Sequence, residues 1–183
     1  MAIKTAQQII EYWYSDRVKP LWFNSTPEFD AELKEKFEST YLAAVNGELA
    51  HWKSDGLGVL ALVILYDQIP LNIYRNTTAS FQTEALAREM AKIAIDNGWH
   101  KSLTKEQQAF LYMPFMHSEN LGDQDYAVGL YEAAGLKENA KFAHHHRSIV
   151  QRFGRFPHRN KILDRENSEA EELYLSSDEA FLG

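Results

Sequence analysis

The 183-residue chain contains no cysteine, which removes a disulfide framework and every thiolate metal site from consideration. That absence fits a reducing compartment. Long hydrophobic runs are missing as well. The longest, Leu57 to Tyr66, falls far short of the roughly 20 residues needed to span a bilayer, so it reads as a buried helix and no membrane association is expected. The N-terminal stretch MAIKTAQQIIEYWYSD has one early lysine but neither an extended apolar core nor a small-residue cleavage site. No secretory signal is expected there, and the protein is expected to be cytoplasmic. Positive charge is scarce: the net charge is −7, which argues against general nucleic-acid binding, since that needs a broad basic surface. Period-two alternation, the mark of half-buried strands, is nearly absent too.

What remains is ordinary globular material, 45% apolar and 25% charged. A chain of this length buries roughly 70% of its unfolded surface, enough for a core without covalent staples. No Pro/Gly/Ser linker, low-complexity tract or 34-residue self-similarity divides it, and we expect one all-helical domain over residues 1–183. Helix boundaries are well marked. Thr26-Pro27-Glu28 supplies a hydroxyl cap, a proline at the first helical position and an acid on the positive helix end. Thr104-Lys105-Glu106-Gln107 and Ser168-Glu169-Ala170-Glu171 have the form of capping boxes. Asn46-Gly47, Gly98, Gly135 and Gly154 read as left-handed stops. Helices are expected near residues 3–14, 27–46, 56–68, 80–97, 104–117, 121–134, 137–153 and 168–175, joined by short connections that favour antiparallel hairpins. Phe29, Leu33, Phe37, Tyr41, Leu42 and Val45 are expected on one buried face. Beyond Ser168, Leu173, Tyr174, Leu175, Phe181 and Leu182 favour packing of the acidic tail.

Charge is unevenly spread. Between Arg147 and Arg165 six cations are opposed by Asp164 alone, so this segment carries +5 and the rest of the chain −12. A basic island on an acidic chain fits either a local anion site or arginines tying the C-terminal segment to acidic helices.

Three segments hold polar residues that helix packing does not explain. In Tyr66 to Arg75, Asp67 is expected near a helix C-terminus, where the macrodipole disfavours a negative charge, and Pro70 is expected to end that helix. A buried acid there calls for a partner, most simply an arginine locking two helices. In Met113 to Asn120, Pro114 should kink or end a helix, crowding His117, Ser118 and Glu119 into a turn. His117 with Glu119 could act as an acid–base pair, while Ser118 or Asn120 could cap the next helix. In His144 to Asn160 the apolar face runs Phe142, His146, Ile149, Val150 and Phe153, so His146 points inward while His144 and His145 lie off its centre. An inward histidine serves either as a hydrogen-bonded core residue or as a site residue. Adjacent helical histidines face different directions, so the triple histidine is not a metal signature, and we expect neither metal nor cofactor. Arg155-Phe156-Pro157-His158-Arg159-Asn160 forms a stiff, donor-rich turn whose guanidinium forks suit phosphate or carboxylate.

The strings LALVILYDQIPLNIYRNT, YMPFMHSENLGDQ and HRSIVQRFGRFPHRNKIL resemble the uncharacterised bacterial family called domain of unknown function 924. The likeness extends from about Trp22 to Phe181. It implies a fold of helical hairpins in a compact, tetratricopeptide-like right-handed superhelix. The chain departs from the family in one place: Leu71 stands where an arginine is usual between proline and asparagine.

The functional expectation is a polar pocket for a small anionic metabolite, a phosphate or carboxylate, with hydrolysis as its simplest chemistry. Asp67, His117, Glu119 and His146 are the candidate catalytic residues, and Gln68, Asn72, Arg75, Gln124, Arg155, His158, Arg159 and Asn160 the candidate ligand-binding residues. The alternative is a protein- or peptide-binding module whose groove exposes aromatics such as Trp13, Trp22 or Trp52.

Overall fold

The computed structural model describes residues 2–182, and among these there is no β-strand. The chain falls into two compact units, one of Met1–Arg75 with Ala79–Pro114 and one of Asn76–Thr78 with Phe115–Gly183.

The first unit is built on α1 (Ala6–Trp13), α2 (Pro27–Val45), α3 (Gly56–Val63), α4 (Ile69–Ile73), α5 (Glu84–Asp96) and α6 (Lys105–Met116), the last of which runs to the boundary between the units. Local chemistry sets most of their ends. Thr5 and Thr104 form reciprocal capping boxes with Gln8 and Gln107, and the Thr26 hydroxyl accepts from the Phe29 N–H. Helix α3 packs against α1 and α5, and α4 against α2. Gly58 permits one close approach: a Cβ there would lie 2.2 Å from the Trp52 carbonyl oxygen. Trp13, Leu33, Leu60, Leu62, Ile64, Leu65, Ile69 and Phe110 are fully or almost fully buried.

The central helix does not end at Pro70. Between α3 and α4 the chain makes a π-helical turn, Ile64–Gln68, and the helical path continues to Ile73. Proline lacks an N–H, so the Tyr66 carbonyl four residues earlier loses its helical donor. The Thr83 hydroxyl takes that place, donating to the Tyr66 oxygen at 2.6 Å from a site that is 3% exposed. The Ile69 N–H reaches back five residues to Ile64 O, which absorbs the mismatch. Asp67 is therefore a mid-helix residue rather than a C-terminal one. Thr83→Val should leave a buried carbonyl without its donor and cost about 1–3 kcal/mol in urea unfolding. A loss within error of zero would show that the π turn does not depend on Thr83.

The whole stretch Gly56–Ile73 is long and apolar enough to cross a bilayer by composition, yet 78% of it is buried within the protein, as a core helix would be. Two further expectations need correction. Leu42 and Val45 are 48% and 42% exposed, because they lie off the centre of the α2 face on which Phe37, Thr40, Tyr41, Ala43 and Ala44 are buried. The expected helix over 80–97 is broken: a 3-10 turn, Thr78–Phe81, precedes α5. The helix expected over 104–117 is found as α6, with Pro114 inside it.

The second unit contains α7 (Leu121–Ala133), α8 (Lys137–Phe153) and α9 (Glu169–Leu175). Gly135 turns left-handed, at φ 69°, and folds α7 against α8 as a hairpin. Gly154 ends α8 in the same conformation, and a 3-10 turn follows at Pro157–Arg159. Ile149, Val150, Phe156 and Tyr174 form a buried cluster on which Phe153, Leu175 and Phe181 pack, so much of the tail is held down, although Leu173 and Leu182 stay exposed. Phe142, expected on the inner face of α8, is 60% exposed; it lies about two turns before the cluster begins at Ile149.

Candidate functional site

Asp67, Gln68, Asn72 and Arg75 belong to the first unit, and the other eight candidates to the second. In the first unit Asp67 is 2% exposed and accepts a 2.6 Å hydrogen bond from Gln68 Nε2. Asn72 donates to the Gln68 carbonyl and accepts from Arg75. The Arg75 fork closes on Asp30 at 2.7 and 3.0 Å.

The second unit concentrates its polar residues in two adjoining groups. The first is a knot of carboxylates and guanidinium forks. Glu119 accepts both Arg165 donors, at 2.7 and 2.8 Å, and also the Phe156 N–H at 2.8 Å. Burial works to raise its carboxyl, but the Arg165 fork, the Phe156 N–H and the Arg159 charge together hold it below the usual carboxylate range. Arg165 also donates to Asn160 Oδ1, and Asn160 donates to Asn167. Asp164 adopts φ 52°, a left-handed conformation that aspartate tolerates, just before Arg165. Arg155 grips Glu171 through Nε and an Nη, at 2.7 and 2.8 Å, and donates to the Glu166 carbonyl. The Glu171 side chain is 3% exposed, and its pKa is pulled down to about 2, chiefly by the Arg155 fork. Glu171 also closes the capping box on Ser168 at the start of α9. Arg155, Asn160 and Glu119 thus hold the turn and the tail in place.

The second group is aromatic and cationic. Pro157–Arg159 places His158 and Arg159 beside Phe156, and α8 places His146 there. His146 and His158 both pack on Phe181, with ring centroids 4.5 and 5.0 Å away. Arg159, 6% exposed, lies over the Phe156 ring at 4.9 Å and donates to the His117 carbonyl at 3.0 Å. His146 Nδ1 pairs with the Phe142 carbonyl, whereas His158 Nδ1 is buried with no hydrogen-bond partner among the described residues. Burial depresses both imidazoles, to about 4 for His146 and about 3 for His158. Nearby positive charge adds to the effect, that of Arg159 foremost for His158. At neutral pH both are uncharged, and each has a permanent guanidinium close by. His117 acts electrostatically on both.

Other candidates are local. Asn120 caps α7, and Ser118 donates to Asp123. Gln124 is fully buried, and its amide donates to the Met116 and Ser118 carbonyls. Its Oε1 is without a partner among the described residues. No three histidine, aspartate or glutamate side chains among the described residues are placed to hold one metal ion. Arg165, Glu171 and Phe181 matter to this region and were not among the candidates. Glu171 showed only as a capping residue, Arg165 only as part of the charge count, and Phe181 only as a packing residue.

No functionally curated protein matches the chain. A solved structure does: a protein of unknown function from Agrobacterium tumefaciens, 36% identical, aligns over 93% of this chain and 96% of its own with a TM-score of 0.89. The sequence profile of a bacterial family of unknown function, DUF924, matches residues 9–179, nearly the entire length, and the chain belongs to that family.

Proposed function

We propose that the second unit binds a small anion, a phosphate or carboxylate, beside Arg159 and the neutral imidazoles of His146 and His158. The observation that supports this most directly is the grouping itself: the buried Arg159 guanidinium, the buried His146 imidazole and the half-buried His158 imidazole around Phe156 and Phe181, with His158 Nδ1 lacking a partner among the described residues. An anion here would gain a charge-assisted hydrogen bond from the guanidinium. Its negative charge would also raise the proton affinity of both imidazoles, so binding and proton uptake are coupled. For a hydrolytic reaction at this place, water would be the nucleophile and a neutral imidazole its base, because the chain has no cysteine and the Ser118 hydroxyl already donates to Asp123.

Two observations favour this reading over the others. A peptide groove lined by Trp13, Trp22 and Trp52 is at odds with exposures of 1% at Trp13 and 8% at Trp52. A nucleic-acid footprint is at odds with the pairing of Arg147, Arg155 and Arg165 to Asp125, Glu171 and Glu119.

The test is a thermal-shift screen of phosphorylated and carboxylated metabolites on the parent and Arg159→Gln, each against its own ligand-free midpoint. A ligand at 100 times its dissociation constant should stabilise the parent by roughly 2.7 kcal/mol, several degrees for a domain of this size. That shift should be lost in Arg159→Gln. Calorimetry near pH 6 in buffers of different ionisation enthalpy should show proton uptake on binding. A parent that no anion stabilises, or a shift undiminished in Arg159→Gln, would sink the proposal.

A further inference from the structure

Arg152 stands apart from the arginines of the basic island that close on acids. No hydrogen bond or ion pair holds its side chain among the described residues. Its guanidinium lies instead over two rings, 4.7 Å from the centroid of Phe153 and 5.8 Å from that of Tyr174. Stacking of this kind fixes the plane of the group and leaves its donor edge available for a bidentate acceptor. Arg152 borders a cleft of about 440 Å³, which falls within the usual range of small-molecule sites. Phe153 and Tyr174, with ring centroids 5.1 Å apart, give the lining its aromatic part, and His145 lines it as well. Asp178 and Glu179 line the same cleft, and neither is paired with Arg152.

The chain on either side of these two acids is anchored. Ser177 donates both its N–H and its hydroxyl to the Tyr174 carbonyl, at 3.0 and 2.7 Å, and the Phe181 N–H donates to the Tyr174 hydroxyl at 2.9 Å. Phe181 in turn packs on His146 and His158, which fastens the tail from its far side. Among the described residues, the cleft therefore combines one unpaired cation, two unpaired acids and two aromatic rings in its lining. Such a lining suits a molecule that carries both charges, and the stacked Arg152 together with the anchored chain around Ser177 and Phe181 lowers the ordering cost of binding it.

We infer that this cleft binds a small zwitterion, its carboxylate on Arg152, its ammonium group toward Asp178 and Glu179, and its apolar body over Phe153 and Tyr174. The site is separate from the Arg159 group, and neither proposal depends on the other.

The probes are 4-aminobutanoate, 6-aminohexanoate and L-phenylalanine, with butanoate and butylamine as singly charged controls. Each is titrated into the 15N-labelled full chain at low ionic strength, because the charges are exposed to screening. Saturable amide shifts at Phe153 and Asp178 are expected with at least one zwitterion, and affinity about tenfold weaker or less for both controls. Arg152→Gln and the double variant Asp178→Asn/Glu179→Gln change side chains that make no ion pair, so they should fold as the parent does and lose the shifts. No saturable shift with any probe would overturn the proposal. So would undiminished shifts in both variants, or a control that binds as tightly as the zwitterions.

Discussion

At pH 5 the protein should be about 3 kcal/mol less stable than at pH 7, and His146 and His158 should account for most of the loss. In the unfolded chain both imidazoles titrate near the ordinary value of 6.5, whereas in the folded protein they titrate at about 4 and about 3. Between those values the unfolded state binds protons that the folded state refuses, so acid favours unfolding. The stability is fully present above pH 6.5 and is lost as pH falls toward the folded-state values. Each histidine contributes up to about 1.4 kcal/mol per pH unit in that window, discounted here for the partial exposure of His158. The depressed carboxylate of Glu171 acts in a different window: its contribution is present above its unfolded value of 4.5 and is lost as pH falls toward about 2. The two effects are therefore separable by pH. Urea unfolding between pH 7 and pH 5 should show a steep decline for the parent and a nearly flat profile for His146→Phe/His158→Phe. An equally steep profile in the double variant would locate the acid sensitivity elsewhere. Phosphate or a carboxylate bound beside Arg159 should blunt the decline, because it would raise both folded-state values.

The helices were legible wherever their boundaries are local chemistry. Thr26-Pro27, the two capping boxes and the left-handed glycines each decide a helix end within a few residues, and all lie where expected. The path through Pro70 was not legible. The group that replaces the missing N–H is a hydroxyl from Thr83, and nothing in the run Tyr66 to Arg75 announces a donor that arrives from beyond it. Exposure failed in a similar way. Leu42, Val45 and Phe142 were placed inside on spacing alone, and spacing does not show how wide an arc of a helix its neighbours cover. At the candidate site the residue types were informative and the partners were not. A guanidinium fork at Arg155 does imply a carboxylate or phosphate; that the carboxylate is Glu171, 16 residues on, is decided by the tail folding back. The same holds for Glu119 and Arg165, 46 residues apart.

That pairing leads to the second large effect. Glu171→Gln should cost about 3 kcal/mol in urea unfolding at pH 7, because it leaves the Arg155 guanidinium with a neutral partner at a site where the acid is 3% exposed. That cost is at the low end for a broken buried pair, since Arg155 itself is 30% exposed and water can solvate part of it. The Gln side chain retains one acceptor for the Ser168 N–H, so loss of the capping box should add little. Arg155→Met should cost a comparable amount for the mirror reason, a buried carboxylate stripped of its fork. Combined with Glu171→Gln it should cost clearly less than the two together, with a coupling energy of at least about 1.5 kcal/mol. This cycle decides how any loss of ligand binding on changing Arg155 is to be understood. With strong coupling, the loss follows from a loosened turn that no longer presents His158 and Arg159, and Arg159 is the residue to change when testing for the anion. If the two changes are instead additive, Arg155 owes little to Glu171, and its fork is available to a ligand as Arg152's is.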